Sequence, residues 1–308
     1  MNNKKPRLLL SICIPNYRRP EFLQKNLQAI AKQNLPEIEI VIIDDNSPDD
    51  IRKIIDNFKE KHPKINLKFK KNSKNLGFDK NVLKTVGLAE GQYCWLLSND
   101  DQILSGSIKE IIKTINQRPD IALILINYQR YDHILKKITS RKMISLNKDL
   151  FFDDANNFFF YKASGSYFKS LGLNCLTMSA NIFRRDYWNQ ARNSVKKHVG
   201  HNFIHLFIIT SVIKKQPRVC LISSPQLRYT SNNHRIWDNS IWHDIRYFLL
   251  NHLLEIGYNK EQILNLKKAL KTDEINEKIL VLSQSFPKVH RFLFPYIRKV
   301  RLFLGHHV

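Results

Sequence analysis

Three polar clusters in the 308-residue chain combine residue types that bind nucleotides and metals, and each follows an apolar run. Pro15-Asn16-Tyr17-Arg18-Arg19 offers an aromatic ring to stack on a base and guanidinium groups for phosphate oxygens. Asp44-Asp45-Asn46 offers a carboxylate to accept from a base N–H or a ribose hydroxyl. Asp100-Asp101 is a carboxylate pair of the kind that holds Mg²⁺ or Mn²⁺ against substrate phosphates. Taken singly, an acidic pair after a strand is more often a helix cap or a turn, and Asp49-Asp50 is read that way. Three clusters in consistent order point instead to a nucleotide-diphosphate site with a metal.

The elements that must position these clusters alternate. Apolar runs over 8–15, 38–43, 65–69 and 93–97 read as buried strands, and helical spacing covers 21–32, 50–61 and 79–89. Strands alternating with helices predict a doubly wound, mainly parallel α/β sheet with helices on both faces. In such a sheet, ligands bind outside the carboxyl ends of the strands, where all three clusters fall. Beyond residue 121 the pattern is less regular. Strands are expected over 121–127, 174–183 and 218–223, a helix over 203–214, a polar loop over 229–235 and helix beyond 241. The expected division is a catalytic domain over 1–235 and a helical basic tail over 236–308. Within the first, 1–120 forms the nucleotide-binding half and 121–235 the acceptor half.

Composition excludes several classes. With 43% hydrophobic residues, 9 glycines and 11 prolines, the chain is neither disordered nor collagen-like. The sequence contains neither G-x-G-x-x-G nor G-x-x-x-x-G-K-[ST], which disfavours a dinucleotide oxidoreductase or a P-loop ATPase. Cys13, Cys94, Cys175 and Cys220 have no metal-site spacing and read as reduced core residues of a cytoplasmic protein. No apolar stretch reaches the length of a spanning helix, and no cleaved signal peptide is expected. The formal charge of +23 attracts a polyanion. A nucleic-acid-binding module is the competing reading, but acidic clusters at the strand ends and the lack of a known nucleic-acid signature leave no nucleic acid expected.

The segments Ser-Ile-Cys-Ile-Pro-Asn-Tyr, Glu-Ile-Val-Ile-Ile-Asp-Asp-Asn-Ser, Asn-Leu-Gly-Phe and Ala-Glu-Gly-Gln-Tyr-Cys-Trp-Leu-Leu-Ser-Asn-Asp-Asp resemble the family 2 glycosyltransferases of GT-A fold, most closely their abequosyltransferase-like bacterial subgroup. The resemblance is specific over 8–115. It implies a GT-A domain with a C-terminal helical extension, in an enzyme that moves a sugar from a nucleotide-diphosphate donor of UDP or CDP type to an acceptor hydroxyl. Pro15, Tyr17 and Asp45 would hold the nucleoside and Arg18 the phosphates, with Asp100 and Asp101 as the acidic metal motif for Mn²⁺ or Mg²⁺. Ser98 replaces the first acid of the family's usual D-x-D-D pattern. This departure leaves an inactive homologue as a third reading.

Family members usually invert, using an acidic base near a helix in the second half. Here Val199-Gly200-His201-Asn202-Phe203 stands at that place, making His201 the candidate base. His205, one helical turn on, is an alternative, with Asp186 and Asp244 behind it. His234 and Arg235 have residue types suited to a metal and a pyrophosphate, and equally to an exposed loop of a basic protein. Over 286–308, basic residues alternate with aromatic and aliphatic ones and no acid appears. That segment reads either as a helix lying on the anionic inner leaflet or as a terminal helix packed on the catalytic domain. The first reading, with a glycan or polyprenyl-linked glycan acceptor, implies a peripheral protein at the cytoplasmic face of the inner membrane.

Overall fold

A computed structural model describes residues 8–33, 35–132, 136–161, 166, 170–230 and 248–268. Four strands, β1 (Leu10–Asn16), β2 (Ile38–Asp44), β3 (Leu67–Lys71) and β4 (Tyr93–Leu96), pair in parallel in the order β3-β2-β1-β4. All seven residues of β2 are buried, as a strand covered on both faces requires. β3 lies at the edge and exposes Lys70 and Lys71, charges that discourage pairing with another chain. The connections are α1 (Pro20–Ala31), α2 (Ile51–Lys61) and α3 (Phe78–Leu88). In α2, Ile51, Ile55 and Phe58 turn inward at helical spacing. Asp50 caps it, accepting from the Lys53 N–H at 3.1 Å, the helix-start chemistry expected of that residue.

Only Gly fits at position 91. A Cβ there would stand 2.6 Å from the Ser11 Oγ and 2.7 Å from the Ser11 backbone N. This close approach lets the Gly91 N–H reach the Ser11 Oγ (2.9 Å), while the Ser11 hydroxyl donates to Glu39 (2.6 Å). Glu39 is fully buried in β2 and also forms an ion pair with Lys68 at 2.8 Å.

After β5 (Gln102–Ile103) and α4 (Ser107–Gln117), the sheet continues through β6 (Leu123–Tyr131), β7 (Ile138–Ser140), β8 (Leu150–Phe152), β9 (Asn181–Arg184) and β10 (Val219–Thr230). Its main order is β3-β2-β1-β4-β9-β6-β10-β5. β9 is antiparallel to both neighbours, while β6 and β10 are parallel to each other, so the expected mainly parallel α/β architecture with flanking helices is present.

Two expectations are corrected. Of the anticipated 174–183 strand only 181–183 pairs in the sheet, as part of β9; Gly172–Leu176 and Met178–Ala180 are 3-10 turns. The Asn181 amide holds them by donating to the carbonyls of Cys175, Thr177 and Met178. The strand expected to end at Ser223 runs to Thr230, so Tyr229 and Thr230 are not loop residues. Polar Ser223-Ser224 and a bulge around Pro225 break its apolar pattern, but pairing with β6 and β5 carries it through.

Between β9 and β10 lie α5 (Arg185–Ala191) and α6 (Ile204–Lys215). α6 is buried on every side from Ile204 to Ile213. One cover is the short helix Leu250–Glu255, whose Leu250 and Leu253 join the same core as α6, with Tyr258, Ile263 and Leu266 further on. All four cysteines are buried and free. Among the described residues, no helix is long and apolar enough to cross a membrane.

Candidate active site

The carboxyl ends of β2, β1 and β4 are neighbours, so the three clusters meet. Asn16 ties them together. Its Nδ2 donates to the Asp44 Oδ1 (2.9 Å), and its Oδ1 accepts from the Asn99 Nδ2 (2.9 Å). Asp44 also accepts from the Ser47 N–H (3.0 Å), and the Ser47 Oγ accepts from the Arg18 N–H (2.6 Å). The loops after three strands are thereby set by one buried polar network. Among the described residues, the non-glycines at positive φ are Arg18, Arg19, Asn46 and Asn202, all in loops around this end of the molecule. Each costs on the order of 1–3 kcal/mol, which the surrounding hydrogen bonds sustain.

Pro15 and Tyr17 are half-buried and Arg18 is exposed, its guanidinium 5.2 Å from the centre of the Tyr17 ring. Asp45 faces inward. Its Oδ1 accepts from the Asn72 Nδ2 (2.8 Å) and the Leu76 N–H (2.9 Å), and its Oδ2 from the Gly77 N–H (2.9 Å). A carboxylate has about four acceptor positions, so one on Oδ2 is left. Gly77 has φ +84°, a conformation that favours glycine and presents its N–H to Asp45.

Asp101 is 3% exposed, with its Oδ2 accepting from the Ser179 hydroxyl (2.5 Å) and its Oδ1 from the Thr230 N–H (2.9 Å). Asp100 pairs with the Arg19 guanidinium and accepts from the Ser98 hydroxyl. Burial, and then the Asp100 charge, pushes the Asp101 carboxyl well above the ordinary range, against the pull of Ser179, Thr230 and Arg19. The position is thus short of positive charge, and its adjacent donors are carboxylate oxygens. Both features fit a hard divalent cation. Ser98, at the place of the family's first acid, supplies a donor to Asp100 instead of a further negative charge.

His201 precedes α6 in a loop held by Asp79 of α3. The Asp79 Oδ2 accepts from the N–H groups of Gly200 (2.7 Å) and Asn202 (3.1 Å), and its Oδ1 from that of Ile204 (3.2 Å). Asp45 holds Leu76 and Gly77 while Asp79, two residues on, holds the His201 loop; the two carboxylates link this loop to the end of β2. His201 is half-buried, its ring centre 3.9 Å from that of Phe248. His205 is 1% exposed, with its Nε2 3.4 Å from the Leu176 carbonyl oxygen, and burial lowers its pKa to about 4. Asp186 lies apart at the start of α5, accepting from Arg184 Nε at 3.0 Å. His234, Arg235, Asp244 and the 286–308 segment lie outside the described residues.

Asp79, Asn99, Ser179 and Thr230 were not singled out as contributors from sequence, and Asn16 entered only as a member of the first cluster, whose arginines were assigned to phosphates. Ser179 and Thr230 carry no local signal, being ordinary residues of a turn and a strand. Asp79 reads as a first-turn acid of its own helix but caps another.

Residues 11–189 match the family Glycosyl transferase family 2. Over 208 residues the chain is 30% identical to abequosyltransferase RfbV of Salmonella typhimurium, an alignment spanning 67% of this chain and 61% of that enzyme. The fold is similar to that of S. aureus TarS 1–349 in complex with UDP, with a TM-score of 0.62 at 17% identity over 84% of this chain and 69% of that one. It is also similar to mannosyltransferase PcManGT from Pyrobaculum calidifontis in complex with GDP-Man and Mn²⁺. There the TM-score is 0.54 at 12% identity, over 97% of this chain and 82% of that one.

Proposed function

Because the chain belongs to glycosyl transferase family 2, we propose that it moves a sugar from a nucleotide-diphosphate donor to an acceptor hydroxyl in bacterial surface polysaccharide assembly. The observation that carries this reading is the Asp100-Asp101 pair at the end of β4. It is anchored by Ser179 and Thr230 and faced by Arg19 from the end of β1. Pro15, Tyr17 and Asp45 take the nucleoside, and Arg18 reaches the diphosphate. Asp100 and Asp101 would hold Mn²⁺ or Mg²⁺, which when bound neutralises charge on a departing diphosphate. His234 and Arg235 are assigned to the same end of the donor, since the segment bearing them follows Thr230, the residue whose N–H holds Asp101.

The acceptor proton goes to a ring nitrogen of His201. His201 is half-buried in a loop set by Asp79, whereas His205 is enclosed and strongly disfavours a proton. Attack on the face opposite the diphosphate gives inversion. The donor is of UDP or CDP type, a reading supported by UDP in TarS and by the abequosyltransferase likeness. The acceptor is a glycan or polyprenyl-linked glycan at the inner leaflet, to which the +23 charge is suited.

The test is thermal stabilisation by UDP, CDP, GDP and TDP, each with Mn²⁺ and with EDTA. A ligand that binds only the folded chain raises its melting temperature. One pyrimidine nucleotide stabilising in Mn²⁺ but not in EDTA is expected; no shift with any nucleotide sinks the proposal.

A further inference from the structure

A second cluster of metal-ligating groups lies behind the His201 loop, where the 3-10 turn Lys196–His198 meets the short helix Leu250–Glu255. One ligand atom each from His198, His252 and Glu255 lie within 4.8 Å of one another. His198 is 5% exposed, its ring stacked flat on Phe207 at 4.0 Å, and its Nε2 is buried with no hydrogen-bond partner among the described residues. A buried ring nitrogen left unpaired is costly, and a ligand would supply its missing partner.

His252 is 2% exposed, and its Nε2 stands 3.1 Å from both the Phe207 carbonyl oxygen and the Ser211 Oγ. The Ser211 hydroxyl already donates to that carbonyl (3.0 Å). The ring therefore donates from Nε2, which leaves the Nδ1 lone pair for a ligand. A histidine that gives its other N–H to a backbone carbonyl has the usual outer-shell arrangement of a metal-ligating imidazole. Glu255 follows His252 by three residues, so both project from one helix face. Both imidazoles are buried, an environment that favours the neutral form ligation requires.

We propose that His198, His252 and Glu255 form a binding site for a zinc-type transition-metal cation, separate from the carboxylate pair at the strand ends. Two imidazoles and one carboxylate are a zinc donor set, with a water completing the tetrahedron. Ligands at about 2.0–2.1 Å from zinc stand about 3.4 Å apart, so the cluster draws together on binding, most readily at the exposed Glu255 side chain. The facing groups are the Lys197 ammonium, now paired with Glu255 at 2.5 Å, and the His201 imidazole, whose ring centre is 6.2 Å from that of His198. The Lys197–Glu255 pair is about half exposed, so the cation displaces a weak surface interaction. The ion would staple the Leu250–Glu255 helix to the turn that ends three residues before His201. The site is independent of the proposed sugar transfer and holds or fails without it.

The experiment titrates Co²⁺ into the untagged full chain after chelation and dialysis, in excess Mg²⁺ so that oxygen-ligand sites are filled. Visible d–d absorption of tetrahedral intensity, saturating at one equivalent and abolished by Zn²⁺, is the expected result. His198→Gln and Glu255→Gln are each expected to weaken it by more than the roughly 10–100-fold that loss of an outer-shell partner costs. Asp101→Asn is expected to leave it unchanged. Because Glu255 is exposed, its variant keeps the test valid if His198→Gln does not fold. No tetrahedral band, or a band that survives Glu255→Gln, overturns the proposal; a band lost in Asp101→Asn assigns the ion to the strand ends and overturns it equally.

Discussion

Asp79→Ala tests whether one carboxylate sets the His201 loop. Asp79 is 4% exposed and accepts from three backbone N–H groups, those of Gly200, Asn202 and Ile204. Three hydrogen bonds to a charged acceptor, at about 1.5–3 kcal/mol each, would sum to more than 4 kcal/mol if nothing replaced them. Gly200 and Asn202 are exposed, so water recovers part of two of them, whereas Ile204 is buried and its N–H is left bare. The floor is the loss of an ordinary helix cap, about 1–2 kcal/mol. The expected destabilisation is therefore about 3 kcal/mol, measured as the shift in urea midpoint multiplied by the slope, and about 6–12 °C in melting temperature. Asp79→Asn keeps an accepting oxygen and is expected to lose about half as much. In the folded fraction, transfer falls while stabilisation by the preferred nucleotide with Mn²⁺ persists, because the carboxylate pair at the end of β4 is untouched. An Asp79→Ala midpoint within about 0.5 kcal/mol of the wild type refutes the capping argument. Loss of nucleotide binding in step with transfer refutes the claim that Asp79 acts through the His201 loop.

Other substitutions read different parts of the structure. Asp101→Asn removes a charge from the carboxylate pair, and calorimetry is expected to show nucleotide binding with Mn²⁺ falling to its level in EDTA; undiminished Mn²⁺ dependence would remove the metal from this pair. His201→Gln is expected to lower the single-turnover transfer rate by about 10²–10⁴-fold with donor binding intact, the usual contribution of a general base; a rate within threefold of wild type, to order of magnitude, would exclude that role. Burial lowers His205 to about 4, below its unfolded value, so the unfolded chain takes up the proton first as pH falls. Its contribution is complete above about pH 6.5 and is lost as pH drops towards 4, a change of about 3 kcal/mol in urea stability that His205→Gln should subtract from the profile, leaving the acid dependence of His198 and His252 in the same window. Gly91→Ala drives a methyl into the Ser11 backbone at 2.7 Å and is expected to cost several kcal/mol, about 3 or more by urea unfolding. A neutral result there would mean that β1 and the Gly91 turn are not in close contact.

Much of the β1–β4 part of the sheet could be read from the chain. The runs that became β1, β2, β3 and β4 lie within a few residues of their expected places, and Asp50 caps α2 as expected. These features are local: burial on two faces produces an unbroken apolar run, and a cap lies three residues from its donor. The second half was harder because its pairings are not local. β9 enters antiparallel between β4 and β6, and β10 passes a bulge at Pro225 that interrupts its apolar pattern.

The site divides the same way. Sequence alone placed Asp45, Asp100, Asp101 and the β1 cluster at strand ends, since strand order and residue type suffice for that. Only the tertiary structure decided which way those groups face. Asp45 spends three of its acceptor positions on Asn72, Leu76 and Gly77, and Asp101 is held by Thr230, 129 residues away. Asp79 binds Gly200 across 121 residues, and the His198 and His252 rings meet with centres 5.0 Å apart. A carboxylate has the same letter whether it awaits a ligand or caps a distant helix. Only the folded chain brings its partner within hydrogen-bond distance, so pattern located the clusters and long-range packing set what each side chain touches.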